Sequence, residues 1–276
     1  MNNDIFKRTF CEKCNFAYDS HLESCPKCKE KNYHFIQNRC RNPLFFLDLL
    51  RCIAIVFAWL ILMYVLPAIV SLIAQSISPG ILKTADFILG LQFGVYIAGF
   101  IAFGIILWHY KSMIFGDFKK LKNIVIGVIA GILIICLSQL LSYLIYEVGQ
   151  IEVNSNQTEV ENVVKNSPAL AFFVIVIFGP IFEEIIFRVG LMGIGMKFNE
   201  KYGKVFAYIV SILIFILVHL NFIGENINFI AEIAAVPGYF VGASLLCLAY
   251  DKGGISSSII AHILNNLFGF IIVMVL

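Results

Sequence analysis

Polar residues concentrate in the first 43 positions and in short breaks farther on. Between the breaks, apolar residues run on without the three-to-four periodicity of a soluble helix. A hydrocarbon layer of roughly 30 Å needs about 20 apolar residues per helix. Seven runs approach or pass that length, near 44–75, 85–109, 124–147, 168–196, 204–222, 227–250 and 254–276. The pattern predicts an all-α polytopic membrane protein of about seven transmembrane helices, preceded by a small polar module over 1–43. The membrane part divides into helices over 44–167 and a second unit over 168–276. Pro67 and the Gly179-Pro180 pair mark expected bends, because proline cannot donate to the helix ladder.

Composition agrees: the chain is 60% hydrophobic and 14% charged. It begins MNNDIFKRTF and stays polar to about Pro43, so no secretory signal peptide is expected. The net charge of +2 is small and lies in segments flanking apolar runs. That placement points to membrane orientation and excludes nucleic acid as the expected partner. With a cytoplasmic amino terminus, the nine basic residues from Lys7 to Arg51 fall inside, as do Lys111, Lys119, Lys120, Lys122, Lys197, Lys201, Lys204 and Lys252. Only Lys83 and Lys165 fall outside, and Arg188 lies within a span. The expectation is an integral multi-pass protein of the cell membrane, its carboxyl terminus extracytoplasmic after an odd number of spans. The outer segment near 148–167, with Glu152, Glu159 and Glu161, reads as a solvated loop rather than an amphipathic surface segment.

The amino-terminal module carries Cys11-Glu-Lys-Cys14 and Cys25-Pro-Lys-Cys28, two CxxC knuckles in a segment too small to bury its own core. Four thiolates around a structural zinc would supply the missing folding energy, as in short zinc ribbons. A cytoplasmic position argues against lasting disulfides. His21 and His34 are spare donors, and Cys40, Cys52, Cys136 and Cys247 read as small apolar fillers. The ribbon is either a stabilising cap or a docking module for a cytoplasmic partner.

Chemistry is sought where charge lies at unfavourable depth, since an ionisable residue at a helix centre costs roughly 2.5–3.5 kcal/mol on insertion scales. Glu183, Glu184 and Arg188 fall within six positions of one apolar run. Glu184 and Arg188 are four apart, the spacing of a helical ion pair. Glu183 points about 100° away and is left free for proton transfer. His219 and His262 lie deep in later spans, and Asn266 follows His262 by one turn. At about 1.5 Å per residue, Glu183, His219 and Asn266 lie roughly 21–22 Å from the inner basic residues and His262 roughly 15 Å, one layer within boundary error. Two chemistries suit this set. Glu183 deprotonates a water while His262 and Asn266 donate to the oxyanion, or Glu and His side chains hold a catalytic zinc. A third reading is a buried ion cluster that only fixes helix packing.

Glu183-Glu184-Ile-Ile-Phe-Arg188, Phe215-Ile-Leu-Val-His219 and His262-Ile-Leu-Asn-Asn266 resemble, in order, the motifs of the CAAX-protease and bacteriocin-processing (Abi) family of intramembrane proteases. The resemblance covers roughly 168–276, which it marks as a catalytic core. It implies an intramembrane endopeptidase acting on membrane-associated protein or peptide substrates. Glu183 would be the water-activating base, supported by Glu184 and Arg188, with His219, His262 and Asn266 completing the site. It leaves metal use and substrate open. The alternatives are a non-catalytic immunity or scaffold protein of the same fold and, third, a transporter. No His-Glu-x-x-His and no Gly-x-Gly-Asp occurs in a span. Ser256, Ser257 and Ser258 sit near a helix start, where hydroxyls pack or cap.

Overall fold

The computed structural model describes residues 8–11, 13–19, 22, 24–30, 43–77, 84–198, 202–222 and 227–275. His21, His34 and Cys40, and the basic residues Lys7, Lys31, Arg39, Arg41, Lys83 and Lys201, lie outside the described residues. A two-stranded antiparallel hairpin, β1 (Arg8–Phe10) and β2 (Ala17–Asp19), opens the chain. Among the described residues twelve α-helical pieces follow: α1 (Pro43–Leu60), α2 (Leu66–Ile77), α3 (Ala85–Ile106), α4 (Lys111–Phe118), α5 (Leu121–Ser142), α6 (Ser155–Asn166), α7 (Pro168–Ala171), α8 (Gly179–Glu184), α9 (Gly193–Phe198), α10 (Tyr202–Val218), α11 (Phe229–Gly253) and α12 (Ile255–Val275).

Several pieces join through π-helical turns into longer rods. Six described helices are long and apolar enough to cross a membrane: Leu47–Ile77, Asp86–Ile106, Leu121–Val148, Pro168–Met196, Phe229–Gly253 and Ile255–Val275. A shorter apolar helix, α10, has 17 residues. Together they match the seven predicted runs. Their outer faces carry unpaired apolar side chains such as Ile105, Leu121, Val205 and Ile230, as lipid requires.

The expected bends take a definite form. A π-helical turn over Ile61–Val65 precedes Pro67, and another over Phe172–Phe178 precedes Pro180. Proline lacks an N–H and crowds the carbonyl one turn back, and a π-turn is one way to release that carbonyl. A third stretch, Ile185–Met192, continues the rod past Glu184.

Packing converges on α12, which lies against α5, α11, α8 and the Phe172–Phe178 turn. Gly127 and Gly131 of α5 permit the approach. A Cβ on Gly127 would stand 2.7 Å from the Ser257 carbonyl oxygen, and one on Gly131 would stand 3.1 Å from Leu264. This is the small-x-x-x-small device that lets membrane helices touch backbone to backbone.

Ion pairs stitch the lysine-bearing end of the bundle. Lys204 Nζ meets Asp251 Oδ2 at 2.8 Å, and Lys120 Nζ meets Asp117 Oδ1 at 2.6 Å. Arg51 Nη1 reaches Asp48 Oδ1 at 2.8 Å and the Tyr110 hydroxyl at 3.1 Å, while that hydroxyl donates to Asp48. Burial together with the Asp48 carboxylate raises the Tyr110 pKa strongly, so the hydroxyl stays protonated and donating.

The segment over 148–167 corrects the expectation of a solvated loop. It folds into α6, capped by the Asn154 side chain and packed against α3, α7 and α12. Val163 and Val164 bury its inner face. What holds it is remote in sequence. Glu232, only 1% exposed, accepts from Ser155 N at 2.8 Å, Ser155 Oγ at 2.6 Å and Asn221 N at 3.0 Å. A carboxylate there also complements the helix amino terminus.

Candidate active site

The site begins with a chain of buried polar contacts. Arg188 Nε donates to Glu184 Oε2 at 2.9 Å, and neither side chain is exposed. Arg188 Nη1 donates to Ser211 Oγ at 2.6 Å, and that hydroxyl donates to the Phe187 carbonyl at 3.1 Å. The guanidinium lies over the rings of Phe215 and Phe187, 5.7 and 6.0 Å from their centroids. Helical spacing announced the Glu184–Arg188 pair, while Ser211 escaped notice because one hydroxyl in an apolar run carries no pattern.

Glu184 offers its other oxygen to α12: His262 Nδ1 stands 3.0 Å from Glu184 Oε1. An ionised carboxylate only accepts, so Nδ1 carries the proton and Nε2 faces the cavity. His219 is oriented in the same sense. Its Nδ1 lies 2.7 Å from the Phe215 carbonyl, another obligate acceptor, so in the neutral ring Nε2 is a bare lone pair. Phe215 also stacks on the His219 ring at 4.4 Å, and Tyr239 flanks it at 5.0 Å.

Between these two nitrogens lies Glu183. Its Oε2 is 3.8 Å from His219 Nε2 and 3.8 Å from His262 Nε2, and it is buried without a hydrogen-bond partner in the protein. Such an atom is costly unless something occupies the gap. Two acceptors 3.8 Å apart can share one water at hydrogen-bond lengths of about 2.8 Å. Asn266 is nearby but partly committed, with Nδ2 donating to the Ile175 carbonyl in the π-turn at 3.0 Å. The fold therefore brings together Glu183, Glu184, Arg188, His219 and His262 around one point. Asn266 sits on its edge.

A cavity of about 850 Å³ opens from this point. Glu183, His219, His262 and Asn266 line its floor, with Gln92 and Tyr96 of α3 and Tyr239 of α11 on its walls. Gln92 Nε2 donates to the Tyr96 hydroxyl at 2.8 Å. Asn154 and Asn156 both donate to the Tyr239 hydroxyl, at 3.3 and 2.9 Å. None of these residues stood out in the sequence, because polar groups at apolar-run ends are common. Ser257 donates to the Asn123 carbonyl at 2.7 Å and Ser258 to the Ile255 carbonyl at 3.1 Å, which is packing and capping as expected.

The four cysteines form a separate centre. Cys11 and Cys28 sulfurs lie 3.3 Å apart, Cys14 and Cys25 sulfurs 3.7 Å apart, and all four lie within 4.8 Å of one another. Tetrahedral zinc with bonds of about 2.3 Å spaces its sulfurs at roughly 3.8 Å. The knuckles repeat each other: Asn15 N donates to the Cys11 carbonyl and Lys29 N to the Cys25 carbonyl, and Asn15 and Lys29 take left-handed φ of 52° and 61°. Burial raises the Cys25 thiol, but backbone N–H groups of Cys28 and Lys27 and the adjacent thiols outweigh it, lowering it to about 7. Cys28 is pushed to about 12, where burial and three neighbouring thiols outweigh the backbone hydrogen bond at Glu30. Four sulfurs this close cannot all ionise without a cation, so the donor set fits a metal ion. Among the described residues this is the group of three or more potential ligands that closes to 4.8 Å; Glu183, His219 and His262 are splayed wider.

Comparison with known proteins bears on the membrane site. Residues 165–268 match the family model described as type II CAAX prenyl endopeptidase Rce1-like. That stretch is Rce1-like. It runs from the end of α6 into α12 and contains Glu183, Glu184, Arg188, His219, His262 and Asn266, while α1 to α5 and the cysteine module lie outside it. No curated protein and no solved structure matches the chain. The Rce1-like family is a protease family, which supports a peptidase in a membrane-spanning protein.

Proposed function

We propose that the protein is an intramembrane endopeptidase in which Glu183 activates a water held between its own carboxylate and His219 Nε2. The observation that carries this reading is Glu183 Oε2: buried, without a partner, and 3.8 Å from each of two imidazole nitrogens whose other nitrogens are pinned.

The two histidines divide the labour by what lies behind them. His262 Nδ1 faces the Glu184 carboxylate, whereas His219 Nδ1 faces a neutral carbonyl. A carboxylate therefore orients the His262 ring, as in a catalytic triad, and a carbonyl orients that of His219. With Nε2 protonated, His262 donates to the developing oxyanion, while His219 Nε2 and Glu183 each accept a hydrogen bond from the water. As the water oxygen bonds to the scissile carbon, Glu183 takes one proton. It returns that proton to the leaving nitrogen as the carbon–nitrogen bond breaks. Asn266 keeps one amide N–H beyond its bond to Ile175 and serves as a second oxyanion donor or fixes the π-turn.

Glu183, His219 and His262 do not close to metal-ligand spacing as arranged, so no step is drawn through a catalytic zinc. In the cysteine module, Cys11, Cys14, Cys25 and Cys28 hold a structural zinc whose role is to fold the knuckles.

The test is cleavage of single-span reporter peptides by protein reconstituted in liposomes. Wild type should cut, and Glu183→Gln should lower turnover about 10²–10⁴-fold while staying folded. Undiminished cutting by Glu183→Gln would remove Glu183 as base; a folded wild type that cuts no reporter in a broad panel would favour a non-catalytic binding protein.

A further inference from the structure

The long helices that line the cavity do so mostly with the middle and the end away from their lysines. From α3 come Ile88, Gln92 and Tyr96, from its start to its middle, and from the α5 rod come Ile134, Ser138, Ser142 and Glu147, from its middle to its end. The fourth rod contributes Ile175, Gly179 and Glu183, not the turns that lead to Lys197. On α10 the lining residues are Phe215 and His219, on α11 Ala235 to Leu246, and on α12 His262 to Val273. Lys111, Lys119, Lys120, Lys122, Lys197, Lys204 and Lys252 all sit at the opposite ends of these helices. The exposed rim residues Glu147 and Glu159 complete the mouth, with α6 lying beside it.

Lysine and arginine mark the cytoplasmic ends of membrane helices. We infer that the cavity opens to the extracytoplasmic side, so that the substrate is the extracytoplasmic end of a membrane-anchored segment and not a cytoplasmic tail. The inference rests on the protease reading for the word substrate, while the side of the mouth rests on the cavity's position together with the placement of the lysines. Chain chemistry at the rim adds a preference. Glu147, Glu159 and Glu161 line the mouth and, among the described residues, no Lys or Arg does, so a basic residue next to the scissile segment is favoured. A lipidated carboxyl-terminal cysteine, which is made in the cytoplasm, would approach the lysine-bearing end.

Two arms test this on the full-length protein. In the first, Glu159→Cys and Lys122→Cys are expressed in intact cells and treated with a membrane-impermeant maleimide, with wild type as background. Labelling of Glu159→Cys before permeabilisation and of Lys122→Cys only after it supports the inference; the reverse pattern overturns it, whatever the activity. In the second, liposomes of resolved orientation receive single-span reporters carrying a susceptible stretch with a flanking Lys at one end or the other. At least tenfold faster cutting at the extracytoplasmic end is expected, and preferential cutting at the cytoplasmic end overturns the proposal. If neither end is cut while the first arm gives the expected pattern, the protease reading fails and the outward mouth remains.

Discussion

His262 and Glu184 meet at 3.0 Å across two membrane helices, Nδ1 to Oε1, while Arg188 holds the other oxygen of the same carboxylate at 2.9 Å. Glu184 is thereby spoken for on both sides, and its neighbour Glu183 is left facing the cavity. Adjacent glutamates with identical chemistry are split into a structural anion and a candidate base by a rotation of about 100° around one helix.

The two glutamates should fail in different ways. Glu183→Gln should lower turnover about 10²–10⁴-fold, the usual loss for a general base, with an unchanged melting temperature. Glu184→Gln leaves Arg188 buried without a counter-charge and should cost about 3–5 kcal/mol of stability as well as activity. Thermal unfolding in detergent, run beside the cleavage assay, separates them.

Ser211 should behave as a positioning residue. Ser211→Ala removes the acceptor of Arg188 Nη1 and should destabilise by about 1–3 kcal/mol. Ser211→Thr, which retains the hydroxyl, should recover most of the loss, and failure of that rescue would point to a purely steric role.

Glycines on two helices should give opposite results. A Cβ on Gly238 or Gly242 of α11 meets nothing within 4 Å, and both line the cavity. Gly242→Leu should fold normally, with helix propensity gaining up to about 1 kcal/mol, yet block reporter cleavage by filling the cavity. Gly127→Leu should instead push α12 away from α5 and fail to fold. Melting curves and cleavage rates check both.

Glu232→Gln should release α6, because the amide replaces a charged acceptor of three hydrogen bonds. Hydrogen exchange over 154–166 should rise at least tenfold, with little change over α12. Equal exchange in mutant and wild type would mean that Val163 and Val164 hold α6 by themselves.

Mass spectrometry of the intact, natively ionised protein should find one zinc per chain, lost in a Cys25→Ser, Cys28→Ser double variant. Chelation should release that zinc and unfold the hairpin while leaving reporter cleavage by the membrane helices above half its starting rate. Complete loss of cleavage on chelation, with the helices still folded, would revive a metal at Glu183.

Much of this protein was legible in the order of its residues. Uninterrupted apolar runs of membrane length allow few alternatives, since lipid cannot satisfy a broken backbone. Glu184 and Arg188 lie four apart on one helix, so their contact is local and readable. The paired CxxC knuckles are local in the same sense, and their sulfurs do converge.

Only the tertiary structure decided the rest. That Ser155 and Asn221 reach Glu232, that Asn266 reaches the Ile175 carbonyl, and that Ser211 reaches Arg188 are contacts between distant segments, each resting on one polar side chain with no repeating signal. The outer segment was misread as a loop because its helix is held by a partner some 77 residues away rather than by its own pattern. The end at which the cavity opens could not be read from any single run either. It depends on which halves of six helices diverge, and that is set by how their small and large side chains pack against one another, not by hydropathy along the chain.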